Sequence, residues 1–174
     1  DFHTNFLLLV VAGNETTRHT ITHTMNNLIN NPDQLALLQE NPELIPWAVE
    51  EFLRYASPVY HFRRTATRDT EIGGVKIKEG QKVVPFFASG NRDEAVFDKA
   101  DVMDVLRNPN EHMTFGRGGA HMCLGNALAR IELRVMFEDL IQRVDKVEIT
   151  GEVDFLRSNF VHGIKRMPVK VTTR

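Results

Sequence analysis

The apolar positions in the first third of the chain recur at helical spacing. Residues 2–30 predict one long helix, and its start, residues 6–12, is apolar on every side. A helix that is apolar all round is normally buried in a larger body, so we expect this end to be covered. Asn-Pro pairs at 31–32 and 41–42 predict two helix boundaries, with the asparagine as a cap and the proline in the following first turn. A Ser-Pro pair at 57–58 closes the third helix.

The middle of the chain changes to short runs typical of β-strands. Residues 59–67, 75–77 and 82–86 form these runs, and glycine-containing pairs at 73–74 and 79–80 predict the turns between them. Runs this short predict small sheets at the side of a mainly helical body.

The second half combines a long loop, a second long helix and a final group of strands. Residues 91–122 show little periodicity, and an ordered loop of that length is usually functional. Residues 124–144 predict a helix, and residues 146–172 predict two or three strands with Pro168 at an edge. The helix carries an apolar stripe, formed by Leu124, Leu128, Ile131 and Val135. The predicted fold class is therefore mainly α with small antiparallel β-sheets (α+β), in one domain over residues 1–174.

Composition narrows the functional classes without choosing one. The 174 residues are 25% charged and 42% hydrophobic, which is ordinary for a globular protein. The net charge of −2 gives no basic surplus for binding nucleic acid or an anionic membrane surface. The single cysteine excludes an intrachain disulfide and favours a reducing compartment, so we expect a cytoplasmic location. The apolar run at 6–12 is too short to cross a bilayer.

Cys123 is the first candidate for chemistry. It lies in the glycine-rich segment 115–125, just before the second long helix, and a nearby helix N-terminus favours the thiolate. A lone cysteine is usually a small buried apolar residue. A thiolate could instead be a nucleophile paired with His121, or the only protein ligand of a haem iron, which needs one cysteine. Zinc fits poorly, because no second cysteine is present.

Two carboxylate-containing motifs lie on predicted helices. Glu51 and Arg54 share a helix face, as do Glu50 and Arg54, and a solvated surface pair of little energetic value is the alternative to a buried one. Glu15 and Thr16 lie where glycine and paired threonines weaken the first helix. A threonine there either bends the helix by bonding to its own backbone or opens a groove where a carboxylate and a hydroxyl handle protons.

Taken together, these motifs resemble the cytochrome P450 family of haem-thiolate monooxygenases. The order matches, with Ala-Gly-x-Glu-Thr-Thr at 12–17, then Glu51-x-x-Arg54, then the glycine-rich loop ending in Cys123-x-Gly125. Eight positions separate Phe115 from Cys123, where most relatives have seven.

A narrower resemblance rests on three further segments. Residues 12–18, 106–110 and 159–162 are similar to the bacterial group that hydroxylates methyl-branched lipids and steroid side chains. The additional residue before Cys123 occurs in that group as well. The resemblance covers the C-terminal part of the fold, from the long central helix through the cysteine loop and the helix after it, so we expect a missing N-terminal half.

The resemblance implies a haem b site. Cys123 would be the thiolate ligand of the iron, Phe115 would pack beside the sulfur, and Gly119 and Gly125 would allow close approach to the porphyrin. His121 and Arg64 would bind the haem propionates.

It also implies roles for the two carboxylate motifs. Glu15 and Thr16 would deliver protons to dioxygen on the distal face, as catalytic residues. Glu51 and Arg54 would be structural and would tie the third helix to the long loop.

Substrate and partners follow from the same resemblance. Ala12, Val59 and Phe160 would line the pocket for an apolar small molecule, into which one oxygen atom of O2 is inserted at a C–H bond. Electrons would come from a ferredoxin and its reductase. Two alternatives stay open, namely a cysteine hydrolase or transferase and an inert fragment that needs a partner.

Overall fold

The computed structural model describes residues 1–174, which form five helices, one 3-10 turn and eight short strands. The helical elements are α1 (Phe2–Asn30), α2 (Pro32–Glu40), the 3-10 turn (Pro42–Leu44), α3 (Ile45–Ala56), α4 (Phe87–Gly90) and α5 (Asn126–Arg143). The strands are β1 (Arg64–Thr65), β2 (Thr70–Ile72), β3 (Val75–Ile77), β4 (Lys82–Val83), β5 (Val144–Ile149), β6 (Asp154–Phe155), β7 (Ile164–Arg166) and β8 (Val169–Thr173). The predicted fold class is confirmed.

The Asn-Pro pairs mark helix boundaries as predicted. The asparagine side chains, however, bond to the helix before them and not to the helix after them. The Asn31 side chain donates to the Asn27 carbonyl at 2.8 Å, and the Asn41 side chain donates to the Leu37 carbonyl at 3.0 Å. Neither makes a side-chain cap to the helix that follows. Each asparagine therefore satisfies a carbonyl at the end of the preceding helix. Ser57 ends α3 in the left-handed conformation, with φ of 42°.

α1 runs without a break through the segment expected to interrupt it. The Thr16 hydroxyl donates to the Ala12 carbonyl at 2.6 Å, and the Thr20 hydroxyl donates to the Thr16 carbonyl at 2.8 Å. These hydroxyls bond to their own helix, which is how a threonine is accommodated in a helix interior.

The core lies where α1, α3 and α5 meet. Phe52 of α3 and Phe137 of α5 place their ring centroids 4.8 Å apart, and both are almost fully buried. Leu28 from the second half of α1 and Leu133 from α5 complete the contact. These positions recur at three and four residues, so each helix presents one apolar stripe to the others.

The strands form four separate two-stranded antiparallel sheets. They pair as β1–β4, β2–β3, β5–β8 and β6–β7. The strand predicted at 59–67 is largely wrong, because only Val59 and His61 make isolated bridges before the two-residue β1. The end of the chain holds four strands, where two or three were predicted.

Large apolar side chains are exposed at the start of α1, which was expected to be covered within a larger body, and around α5. Leu7, Leu8 and Leu9 are each about 60% exposed, and Leu124 is 89% exposed. Also exposed in these two places are Phe6, Val10, Val11, Leu128, Ile131 and Val135. None of the helices is both long enough and apolar enough to span a membrane.

Candidate active site

The segment before α5 is a tight loop that ends at Cys123. The Cys123 amide donates to the Phe115 carbonyl at 2.8 Å and closes the loop. Gly116, Gly118 and Gly119 all have positive φ, between 70° and 82°, a conformation that side-chain-bearing residues rarely adopt. Gly119, which was predicted to allow close approach, is therefore also one of the three glycines that set the shape of the loop.

The Cys123 thiol lies on the surface of the chain, near the start of α5. A Cβ atom at Gly125, the residue that precedes the first turn of α5, would lie 4.0 Å from the Cys123 sulfur. The Asn126 side chain donates to the Cys123 carbonyl at 2.7 Å and fixes the backbone there. An exposed sulfur on a fixed backbone is accessible to a large planar group from outside the chain.

The loop is attached to the helices through a network that the sequence did not predict. Arg130 of α5 forms a bidentate pair with Glu50 of α3, with N–O distances of 2.6 and 2.9 Å. His112 lies 3.0 Å from the same carboxylate, and the Arg130 guanidinium lies 4.7 Å from the Phe115 ring centroid. We call these residues, Glu50, His112, Phe115 and Arg130, the Glu50 network.

The Glu50 carboxylate is held in its charged form. Burial alone would raise its pKa, but hydrogen bonds from His112 and Arg130 outweigh burial and lower the pKa to about 2. A charged carboxylate therefore joins α3, α5 and the cysteine loop at neutral pH.

Arg54 connects α3 to the long loop. It forms a bidentate pair with Glu51 at 2.7 Å, and both side chains are fully buried. Its remaining N–H groups donate to the carbonyls of Asn91, Ala100 and Val102 at 2.7 to 3.1 Å. The local alternative, a pair between Glu50 and Arg54, does not form, and the pair is not a solvated one.

Glu51 accepts further bonds from the same loop. The Asp104 amide and the Asn110 side chain each donate to its carboxylate at 2.9 Å. Arg107 adds a second cation at 3.3 Å. A buried pair with all its polar atoms bonded is stable, whereas the same pair with one partner removed is costly.

Glu15 and Thr16 lie side by side on α1 but do not bond to each other. The Glu15 carboxylate binds Arg18 of the same helix and lies 3.1 Å from Nε2 of His19. The hydrogen bond from Arg18 is the main reason that the pKa of Glu15 is lowered. Thr16 Oγ1 donates to the Ala12 carbonyl at 2.6 Å, so the hydroxyl is engaged with its own helix.

The two basic side chains expected to bind propionates are both exposed. Arg64 on β1 donates only to the adjacent Arg63 carbonyl, at 3.1 Å, and the His121 side chain makes no hydrogen bond or ion pair. No hydrogen bond joins His121 to Cys123, so the pairing needed for a cysteine nucleophile is not formed.

Two of the three residues expected to line the substrate pocket are close together. Val59 bridges to Val161, and the Tyr60 amide donates to the Phe160 carbonyl at 2.9 Å, so Val59 and Phe160 lie on adjoining segments. Ala12 is exposed on α1.

Sequence reasoning missed two contacts, of which a simple spacing rule could have found only the first. His19 lies four residues after Glu15, which places the two on one helix face. Arg130 and Glu50 are eighty residues apart, and no local pattern connects them.

The chain is similar to known proteins along almost its whole length. The family model described as cytochrome P450 matches residues 1–171. Linalool 8-monooxygenase from Pseudomonas putida is 50% identical over 97% of this chain and 41% of its own length. Methyl-branched lipid omega-hydroxylase from Mycobacterium tuberculosis is 49% identical over 94% of this chain and 39% of its own length.

A solved structure shows the same arrangement. Cytochrome P450-153 from Novosphingobium aromaticivorans superposes with a TM-score of 0.94 at 43% identity, and the match covers 99% of this chain and 44% of that one. The chain thus spans about two fifths of the length of the curated relatives it matches. The cysteine loop, the Glu51–Arg54 pair and the Glu15–Thr16 pair all fall within the matched residues 1–171, and the chain belongs to the cytochrome P450 family.

Proposed function

We propose that residues 1–174 are the haem-binding C-terminal part of a longer monooxygenase domain. The complete enzyme inserts one oxygen atom of O2 into a C–H bond of an apolar substrate. The observation that carries this proposal is the exposed Cys123 thiol at the end of a glycine loop, in a chain matched by the cytochrome P450 family over residues 1–171.

Proteins of this family bind haem b, and the residues present fit that group. Cys123 Sγ would be the iron ligand, because thiolate is one of the few protein ligands of haem iron. Gly119 has open space where a Cβ atom would be, and Gly125 lies next to the sulfur, so neither residue obstructs a porphyrin. Haem supplies the iron at which dioxygen is bound and reduced.

Three further side chains would position the cofactor. Phe115 packs under the Arg130 guanidinium, and its ring would lie beside the Cys123 sulfur. Arg64 and His121 are exposed, with no acidic partner, and would bind the two propionates. Such charge-assisted bonds both neutralise and orient an anionic group.

Glu15 and Thr16 would handle the protons that oxygen reduction consumes. Thr16 Oγ1 would present its proton after leaving the Ala12 carbonyl, and the Glu15 carboxylate would take up and pass on a proton after leaving Arg18. The role of Glu51 and Arg54 is structural, because both side chains are buried and bonded to the long loop.

The substrate is an apolar molecule of the lipid, steroid or terpenoid class. Ala12, Val59 and Phe160 are apolar and would line its pocket. The names of two relatives, a linalool monooxygenase and a methyl-branched lipid hydroxylase, support this class.

A ferredoxin and its reductase would supply the electrons. The loop next to Cys123 carries Arg117, whose ion pair with Glu111 at 2.7 Å is exposed and open to exchange with an acidic protein. The single cysteine agrees with a cytoplasmic location.

The domain assignment rests on size and on the exposed apolar side chains. The chain covers about two fifths of its relatives, and the uncovered leucines of α1 and α5 form a surface that a soluble domain would bury. We therefore propose that an N-terminal part of the fold covers them.

The test is an absorption spectrum of a graft, in which residues 1–174 follow the N-terminal part of Pseudomonas putida linalool 8-monooxygenase. After haem addition, reduction and carbon monoxide binding, we expect a strongly red-shifted Soret band that is lost in Cys123→Ser. A soluble, folded graft that binds no haem would contradict the proposal and would favour a cysteine nucleophile. The 174 residues alone form the second sample and show whether the missing part is required.

Replacing Thr16 tests the proton-handling role. We expect Thr16→Ala to divert electrons from product to hydrogen peroxide, with roughly tenfold less product per electron, because a positioned proton donor is removed. Thr22→Ala is the control, since Thr22 also bonds to its own helix, at 2.8 Å to the Arg18 carbonyl. Equal coupling of electrons to product in both variants would show that Thr16 has no such role.

A further inference from the structure

His19 is a buried side chain in contact with Glu15. Only 3% of the His19 side chain is exposed, and Nε2 lies 3.1 Å from the Glu15 carboxylate. Arg18 Nη2 also lies near this nitrogen, at 3.4 Å. Because the nearer group, the carboxylate, only accepts hydrogen bonds, we assign the proton to Nε2. The other ring nitrogen, Nδ1, is buried without a partner, so the polar contacts of the ring are those of Nε2, with Glu15 and Arg18.

Gly163 lies directly against the His19 ring. A Cβ atom at Gly163 would be 2.8 Å from both Cε1 and Nε2 of His19, closer than van der Waals contact allows. The backbone of Gly163 has no positive φ, so the absence of a side chain, and not the backbone conformation, is what this position requires. The glycine therefore permits the close approach of its segment to the atom that bonds Glu15.

The segment that carries Gly163 is firmly attached elsewhere. It is the connection 156–163 between β6 and β7, and it includes Phe160. The backbone amide of His162 donates to the Pro58 carbonyl at 2.9 Å. Nδ1 of the His162 ring lies 2.8 Å from the Ala56 carbonyl. Gly163 consequently cannot move away from His19 without breaking these bonds to the end of α3.

The groups around the contact between His19 and Glu15 favour a neutral imidazole and a charged carboxylate. Burial and then the charge of Arg18 lower the pKa of His19, and His162 on the facing segment acts in the same direction. His23, one turn further along α1, has its pKa lowered to about 3, mainly by burial. At neutral pH, neutral His19 thus donates to ionised Glu15.

We infer that His19 is a positioning residue for Glu15, and that the 156–163 segment fixes His19 through Gly163. The inference rests on the proposed function of Glu15. It means that the segment proposed to contact substrate, through Phe160, is packed against the side chain that orients the proton-handling carboxylate. A shift of that segment would displace His19 and leave Arg18 as the remaining partner of Glu15.

The first experiment tests the contact by thermal unfolding of the graft. We expect Gly163→Ala to lower Tm by about 2–6 °C, because the added methyl overpacks the His19 ring. The loss should shrink when Gly163→Ala is made in a His19→Ala background, where the ring is gone. Gly151→Ala is the matched control, because a Cβ there meets only Pro168 at 3.5 Å. Equal losses in both backgrounds would overturn the inference.

The second experiment tests the positioning role of His19. It uses grafts that show the thiolate spectrum, meaning the red-shifted Soret band of the reduced carbon monoxide complex. His19→Phe keeps the ring and removes the donor, whereas His19→Gln keeps an N–H donor on the same helix face as Glu15. We expect hydrogen peroxide release per electron to rise roughly tenfold in His19→Phe and to be partly restored in His19→Gln. His19 contributes to lowering the pKa of Glu15. We therefore expect the pH at which the coupling of electrons to product changes to be higher in His19→Phe.

The outcomes separate this inference from the proposed function. A graft without the thiolate spectrum contradicts the proposed function itself. A graft that has the spectrum, but in which His19→Phe and His19→Gln give equal peroxide release and unchanged pH dependence, overturns only the inference and leaves Arg18 as the residue that orients Glu15.

Discussion

Residue choice at the Glu51–Arg54 pair is decided by distant partners. Helical spacing allows Arg54 to pair with either Glu50 or Glu51. The structure selects Glu51, because the Asp104 amide and the Asn110 side chain donate to the same carboxylate. Glu50 is left free to bind Arg130 on another helix. Two adjacent glutamates thereby connect α3 to two different parts of the chain.

Removing the Glu51 charge should be far more costly than removing an exposed one. We expect Glu51→Gln to lower the free energy of unfolding by about 3–5 kcal/mol, because Arg54 stays buried without a counter-charge. The control is Glu138→Gln, which breaks a pair with the exposed Arg134 and should cost about 0.5 kcal/mol or less. Urea unfolding of both variants measures the difference, and similar losses would contradict the burial argument.

At the scale of elements, the Glu50 network joins two helices and the cysteine loop through one carboxylate. The folded-state pKa of Glu50 is about 2, below its ordinary value of 4.5. A lowered acid pKa adds stability that is complete above about pH 4.5 and is lost as the pH falls from 4.5 towards 2. The packing of α5 against α3 should therefore weaken in acid.

The pH dependence of stability tests this network. We expect the wild-type chain to lose about 3 kcal/mol more than Glu50→Gln between pH 5 and pH 2, since the neutral amide does not titrate. Unfolding in urea across this range gives the two curves. Parallel curves would mean that Glu50 is not held in its charged form by His112 and Arg130.

Element boundaries were readable from the sequence where a strong local signal exists. The first three helices were predictable from helical periodicity over residues 2–30 and from the Asn-Pro pairs. Both signals depend only on residues close together in the sequence. Strand β2 was not predicted and the strand at 59–67 was overextended, because these edges are mostly exposed and show little alternation. The Glu50 network and the contact between Gly163 and His19 depend on packing between distant segments, which no local pattern encodes.

The whole molecule has a core on one side and uncovered apolar side chains on the other. Phe52, Leu133 and Phe137 are almost fully buried, while Leu128, Ile131 and Val135 on the same helix as Leu133 are exposed. A helix with two apolar faces typically packs against other elements of the fold on both of them.

Charging the exposed face of α5 tests whether another part of the fold covers it. We expect Ile131→Glu to change the stability of the 174 residues alone by about 0.5 kcal/mol or less, because the side chain is 58% exposed there. In the graft the same change should cost about 3 kcal/mol or more, since an unpaired charge would be buried. Glu132→Lys, at an exposed neighbouring position, is the control. Equal effects in both contexts would contradict the proposed N-terminal part.

The bonds of Arg54 to three loop carbonyls have a consequence for limited proteolysis. A long stretch without helix or strand is normally where a protease cuts first. Here the loop is fixed by a buried guanidinium, and two of its own cleavage sites, Arg92 and Arg107, donate to backbone carbonyls. Trypsin should instead cut first in the exposed β2–β3 hairpin, after Arg68 or Lys76, which mass spectrometry of the first fragments would show. The long loop, which has the least regular secondary structure, would then be cleaved later than the β2–β3 hairpin.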